Sequence, residues 1–127
     1  MREILFRGKG DKKYNDGMWY FGVPIRCYDS DWQICTNSSK RTVIPETVGQ
    51  YTGLKDKNGT KIFEGDIIDA ASKYDAANMV VVYNPAEFRL VLCEDYKTYK
   101  PGLRFKCYER FNMQVIGNIY DNKLEDF

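Results

Sequence analysis

A mainly β protein is what this sequence predicts, and three observations carry the prediction. Several segments alternate apolar and other residues with a period of two, most clearly Met18 to Cys27. Met79-Val80-Val81-Val82-Tyr83 is a short, nearly continuous β-branched run. No segment of helical length carries a clean stripe of period 3.6, so little helix is expected.

The elements follow in chain order. Glu3 to Arg7 reads as a first short strand. Gly8 to Gly17, with three glycines and three lysines, reads as an exposed loop. In Met18 to Cys27, Trp19, Phe21, Val23, Ile25 and Cys27 share one face, which is expected to be buried. Tyr20, Gly22, Pro24 and Arg26 share the other. Pro24 cannot donate to a ladder, so the strand is expected to be an edge or to bulge there.

Trp32 to Thr36 is a short strand, Asn37 to Arg41 a loop, and Thr42 to Ile44 a further extended piece. Pro45-Glu46-Thr47 suits a single helical turn, with proline first and an acid beside it. Asn58-Gly59 within Leu54 to Phe63 is a hairpin signal, because both residues tolerate positive φ. In Gly65-Asp66 the glycine takes a tight bend and the aspartate accepts backbone amides across it, starting a strand over Ile67 to Ala71.

Met79 to Tyr83 is expected to be a central strand covered on both faces, forming a hairpin with Phe88 to Cys93 around Asn84-Pro85. Glu94 to Gly102 reads as a connector. Leu103 to Cys107 reads as a strand, with a short helical turn as the alternative over Tyr108 to Asn112. Met113 to Tyr120 reads as a last strand broken by a bulge at Gly117. The 127 residues suit one domain, 1–127, with two sub-regions: N-terminal strands over 1–44 and a compact Gly-Asp barrel over 45–127.

Composition narrows the function. Nineteen basic and eighteen acidic residues leave a net charge of +1, so no general field attracts nucleic acid or an anionic membrane. No stretch approaches the roughly 20 apolar residues of a membrane helix. Met1 to Gly8 lacks the apolar run of a signal peptide, so a cytoplasmic protein is expected. Four cysteines (Cys27, Cys35, Cys93 and Cys107) form no C-x-x-C pair and fit no zinc spacing, so free thiols are expected.

Histidine is absent, which removes the usual general base and the Ser-His-Asp and Cys-His systems. An enzyme would need carboxylates, lysine, tyrosine or an oxygen-bound metal. Glu64, Asp66 and Asp69 form a cluster in sequence, for which turn capping is the simpler account. Asp56-Lys57-Asn58-Gly59 with Glu64 departs from calcium-loop spacing: glycine is fourth rather than sixth, and the glutamate ninth rather than twelfth. No catalytic residue, metal ligand or cofactor is assigned, and a non-enzymatic protein is expected.

One segment carries a binding signal. From Tyr96 to Phe111, five basic residues interleave with five aromatics against a single acid. Its candidate surface is Tyr96, Lys97, Tyr99, Lys100, Arg104, Lys106, Tyr108 and Arg110. Aromatic rings stack on unpaired bases and cations follow phosphates, so single-stranded nucleic acid is one reading. An amphipathic strand with a solvated basic face is the other.

Four blocks resemble the YopX family of phage and prophage proteins: Pro45 to Leu54, Asp56 to Gly59, Ile62 to Ile68, and Val115 to Asn122. Arg2 to Gly8 and Gly17 to Gly22 look like the N-terminus of that family. Ala70 to Phe111 carries little of the pattern, so any individual specialisation is expected there. The resemblance implies a small phage-borne protein with an SH3-like roll or barrel around the Gly-Asp strand. It implies no activity, so no catalytic residue carries over. The expected role is an accessory binding module with a phage or host protein partner; homo-oligomers are compatible with it.

Overall fold

A computed structural model describes residues 3–26, 31–70, 78–83, 87–98, 103–104 and 113–124. The chain divides into two compact units, Met1–Tyr51 and Thr52–Phe127. The described residues are mainly strand, in two antiparallel sheets, and their only helical pieces are 3-10 turns at Pro45–Thr47 and Cys93–Thr98.

Unit 1 is built on β1 (Phe6–Lys9), β2 (Trp19–Arg26), β3 (Trp32–Cys35), β4 (Lys40–Thr42) and the start of β5 (Gly49–Lys55). The sheet runs β4-β3-β2-β1-β5, with β6 (Lys61–Phe63) following β5. β2 changes partner half-way: Trp19 to Gly22 pair with β1, and Val23 to Arg26 pair with β3. Pro24 thus lies beyond the last β1 partner, where its missing N–H leaves no gap in that ladder. β2 as a whole is interior to the sheet rather than an edge.

At the switch point sits Gly22. A Cβ there would overlap the Cys35 carbonyl and press on Ile34. Only hydrogen fits, and the close approach lets Ile34 be fully buried. Ile34, Val43 and Tyr51 are the buried apolar residues of this unit. Thr47, in the 3-10 turn, accepts the Lys9 N–H (2.9 Å) and donates to the Ile44 carbonyl (2.6 Å), tying the turn to β1.

One expectation for β2 fails. Its Trp19-Phe21-Val23-Ile25 face is not buried: Phe21 is 47% exposed and Val23 56%, with Trp19 and Ile25 half-buried. Alternation correctly places these residues on one face, but parity alone does not say what covers it.

Unit 2 contains β7 (Asp66–Ala70), β8 (Asn78–Tyr83), β9 (Phe88–Leu92), β10 (Leu103–Arg104) and β11 (Met113–Asn118), in the order β10-β9-β8-β7-β11. Its core is Ile62, Ile68, Ala70, Met79, Val81, Leu90 and Met113, each at most 2% exposed. β8 is central, with consecutive residues Met79, Val80 and Val81 all buried, as its β-branched run predicts. β8 and β9 form the expected hairpin, closed by an edge-on Tyr83–Phe88 ring pair at 5.1 Å. The bulge falls between Val115 and Gly117.

The described strands form open sheets, so the barrel expected over 45–127 is corrected to a pair of unclosed antiparallel layers. β5 has no counterpart among the expected strands, because Gly49 and Gly53 interrupt its alternation; Gly53 takes φ +88°. Glu94 to Thr98 is a 3-10 turn rather than an open connector. Of the expected Leu103 to Cys107 strand, Leu103–Arg104 is present, and the remainder lies outside the described residues.

Candidate interaction surface

The carboxylates of the glycine-rich block are engaged by backbone. Asp56, 7% exposed, accepts N–H groups of Asn58 (2.8 Å) and Thr60 (2.9 Å) on one oxygen. Its other oxygen accepts the Val115 N–H at 2.9 Å, and Lys57 N–H donates to the Met113 carbonyl at 3.0 Å. The turn after β5 is thereby fastened to β11, fifty-nine positions away in sequence. Burial pushes the Asp56 carboxyl up, but the amides of Val115, Thr60 and Asn58, aided by Lys57, outweigh it and hold its pKa below the usual carboxylate value. A carboxylate surrounded by N–H donors is set up to receive hydrogen bonds, the opposite of an oxygen cage for a cation.

Asp66, 1% exposed, accepts the Phe63 N–H at 2.7 Å and so closes the bend that starts β7. Gly65, at φ +91°, donates its N–H to the Val81 carbonyl (2.8 Å) and accepts from Ile119 (2.9 Å), with the Tyr120 ring against its Cα. Asp69 stands on β7 opposite Asn78 and Gln114, away from Asp66. No group of three or more potential metal ligands occurs among the described residues. Distant in sequence, the Ile62 to Ile68 and Val115 to Asn122 blocks become paired strands, β7 and β11.

The basic-aromatic candidates scatter or fall out of view. Tyr96 and Lys97 lie in the second 3-10 turn, Tyr96 half-buried and Lys97 exposed. Burial, with the charge of Glu64 beside it, pushes the Tyr96 hydroxyl pKa up. Arg104 pairs with Arg89 through the β10–β9 ladder. Tyr99, Lys100, Lys106, Tyr108 and Arg110 lie outside the described residues. Cys35 and Cys93 are free thiols, and burial pushes the Cys93 thiol up; Cys27 and Cys107 lie outside the described residues.

The open surface of the molecule is the odd-numbered face of β2, which sequence parity found but assigned to the interior. Register places Lys9 opposite Trp19, Arg7 opposite Phe21, Cys35 opposite Val23, and Lys40 opposite Cys35. The Arg7 guanidinium, 8% exposed, lies 4.6 Å from the Trp19 ring centroid, which confirms that these side chains share a side. On the opposite side Tyr20 donates its hydroxyl hydrogen to Asp16 (2.6 Å), with Arg41 over its ring at 5.6 Å. That bond holds the Asp16 carboxyl low and the Tyr20 hydroxyl high. Exposed apolar residues on an interior strand mark a surface that meets something else.

Fold and surface together define a mainly β protein of two antiparallel sheets, with its open apolar face in unit 1. The chain belongs to the YopX protein family, whose model matches residues 8–125. No curated protein sequence matches it. Among solved structures, it is similar to the crystal structure of protein EF1440 from Enterococcus faecalis, with 22% identity, 96% of each chain covered and a TM-score of 0.52. At that identity the likeness shows the fold alone. No helix among the described residues is long and apolar enough to cross a membrane.

Proposed function

We propose that this chain is a non-enzymatic binding module acting in the cytoplasm of a phage-bearing cell, and that it binds through the β2 face of unit 1. The observation that carries the reading is the exposure of Phe21 and Val23 on an interior strand. An apolar pair at that place gains nothing from solvent, and covering it removes apolar surface from water at about 25 cal/mol per Å². Support also comes from the block that identifies the family: Asp56 and Asp66 hold backbone amides there. The phage setting rests on the family resemblance.

The test is affinity capture from prophage-induced cells, with and without nuclease, run in parallel on wild type and a Phe21→Ser/Val23→Ser double variant. A partner held by wild type and lost from the variant, with unchanged circular dichroism, is the expected result. Equal retention by the variant defeats the reading, as does substrate turnover that a point mutation abolishes.

A further inference from the structure

We infer that the occupant of the β2 face is an acidic, apolar segment of another protein, one in which aliphatic or aromatic side chains accompany Asp or Glu; this rests on the binding role proposed above. Three observations select that chemistry. The first is the sequence period itself. Trp19, Phe21, Val23 and Ile25 repeat every second residue, the pattern of a strand with a covered face. In the folded chain Phe21 and Val23 remain 47% and 56% exposed. The pattern fits a surface that another chain completes.

The second is charge. The register rows of this face run Lys9–Trp19, Arg7–Phe21, Val23–Cys35–Lys40 and Ile25–Gln33–Thr42. They carry three cations and no carboxylate. Lys40 is exposed at one end of the Val23 row, and Arg7 lies under Trp19, lending its charge to the apolar patch from below. Such a face attracts carboxylates around an apolar centre and repels basic segments.

The third is what the face disfavours. Two copies meeting here about a two-fold axis would bring both sets of cations together, a like-charge arrangement that opposes association. Single-stranded nucleic acid would use the cations but stacks on aromatic rings. Val23, the more exposed of the central pair, and Ile25 offer none. Aliphatic side chains beside cations favour a peptide.

The experiment selects a random nine-residue peptide display library on wild-type protein, and measures binding of a dT oligonucleotide and the oligomeric state by light scattering. Enriched peptides are expected to combine Asp or Glu with aliphatic or aromatic residues. Their binding should weaken at least about tenfold in Phe21→Ser/Val23→Ser, and weaken in Lys40→Glu. Lys40→Glu leaves the apolar pair in place, so it isolates the charge argument. No enrichment, or enrichment without acidic residues, overturns the inference. Oligonucleotide binding or self-association that the double variant abolishes overturns the partner chemistry while sustaining the binding role. Peptide binding unchanged in the double variant overturns both.

Discussion

The core of unit 2 and the central strand of unit 1 use similar side chains to opposite ends. Ile62, Ile68, Met79, Val81, Leu90 and Met113 are at most 2% exposed, whereas β2, equally alternating, leaves Phe21 and Val23 about half open. Unit 2 also contains most of the block by which the family is recognised, and its polar residues there are occupied by backbone amides. Recognisability and openness therefore reside in different places. The residues that identify the family in unit 2 make a scaffold, and the surface left for a partner is in unit 1.

The sharpest way to break this contrast is to remove matched apolar side chains from both places. Ile68→Ala should lower stability by about 3 kcal/mol, the usual loss for an aliphatic side chain in a closed core, read as a fall in the urea midpoint by circular dichroism. A drop below about 1 kcal/mol would show that the unit 2 core is loosely packed.

Asp56→Ala strands the amides of Asn58, Thr60 and Val115 and should lower stability by about 2 kcal/mol. The pH dependence has a defined sign. The folded-state pKa of Asp56 is lowered from 3.8, so its contribution is fully present above the unfolded value and is lost as pH falls through the folded one. The stability gap between wild type and Asp56→Asn should therefore narrow below about pH 4; a gap that is constant from pH 7 to pH 3 contradicts the assignment.

Gly65→Ala forces a side chain into φ +91° beside the Tyr120 ring and should lower stability by about 1–2 kcal/mol. Phe21→Ser/Val23→Ser, by contrast, should shift the urea midpoint by the equivalent of no more than about 0.5 kcal/mol per substitution. A loss comparable to that of Ile68→Ala would erase the distinction between the two regions. The smallest effect is local: Tyr20→Phe removes the hydroxyl donor to Asp16, and the Asp16 carboxyl pKa, followed by NMR titration, should rise toward its ordinary value.

Much of this architecture was legible in residue order. Alternation located β2, β3 and β9, the β-branched run located β8, and Gly65-Asp66 located the start of β7 together with the amide that Asp66 accepts. Two features were not legible, for different reasons. β5 escapes a pattern reading because two of its seven residues are glycines, whose lack of a side chain erases the period. The exposure of the β2 face escapes because a period of two fixes which residues are neighbours and not what lies above them. The pairing of β7 with β11 depends on Asp56 and Gly65 meeting residues more than fifty positions later, and no local signal encodes such a match. The basic-aromatic segment was conspicuous in composition, yet Tyr96 is half-buried beside Glu64, so conspicuous composition did not make all of it surface.

β11 is the last strand of its sheet, and a last strand ordinarily offers a row of vacant amides and carbonyls on which a stranger's backbone can zip. Here the Met113 carbonyl and the Val115 amide, which face outward, are already claimed by Lys57 and Asp56. The turn that helps identify the family thus also terminates lateral growth of the sheet. Its removal, or protonation of Asp56 in acid, would turn a soluble chain into a template for fibres.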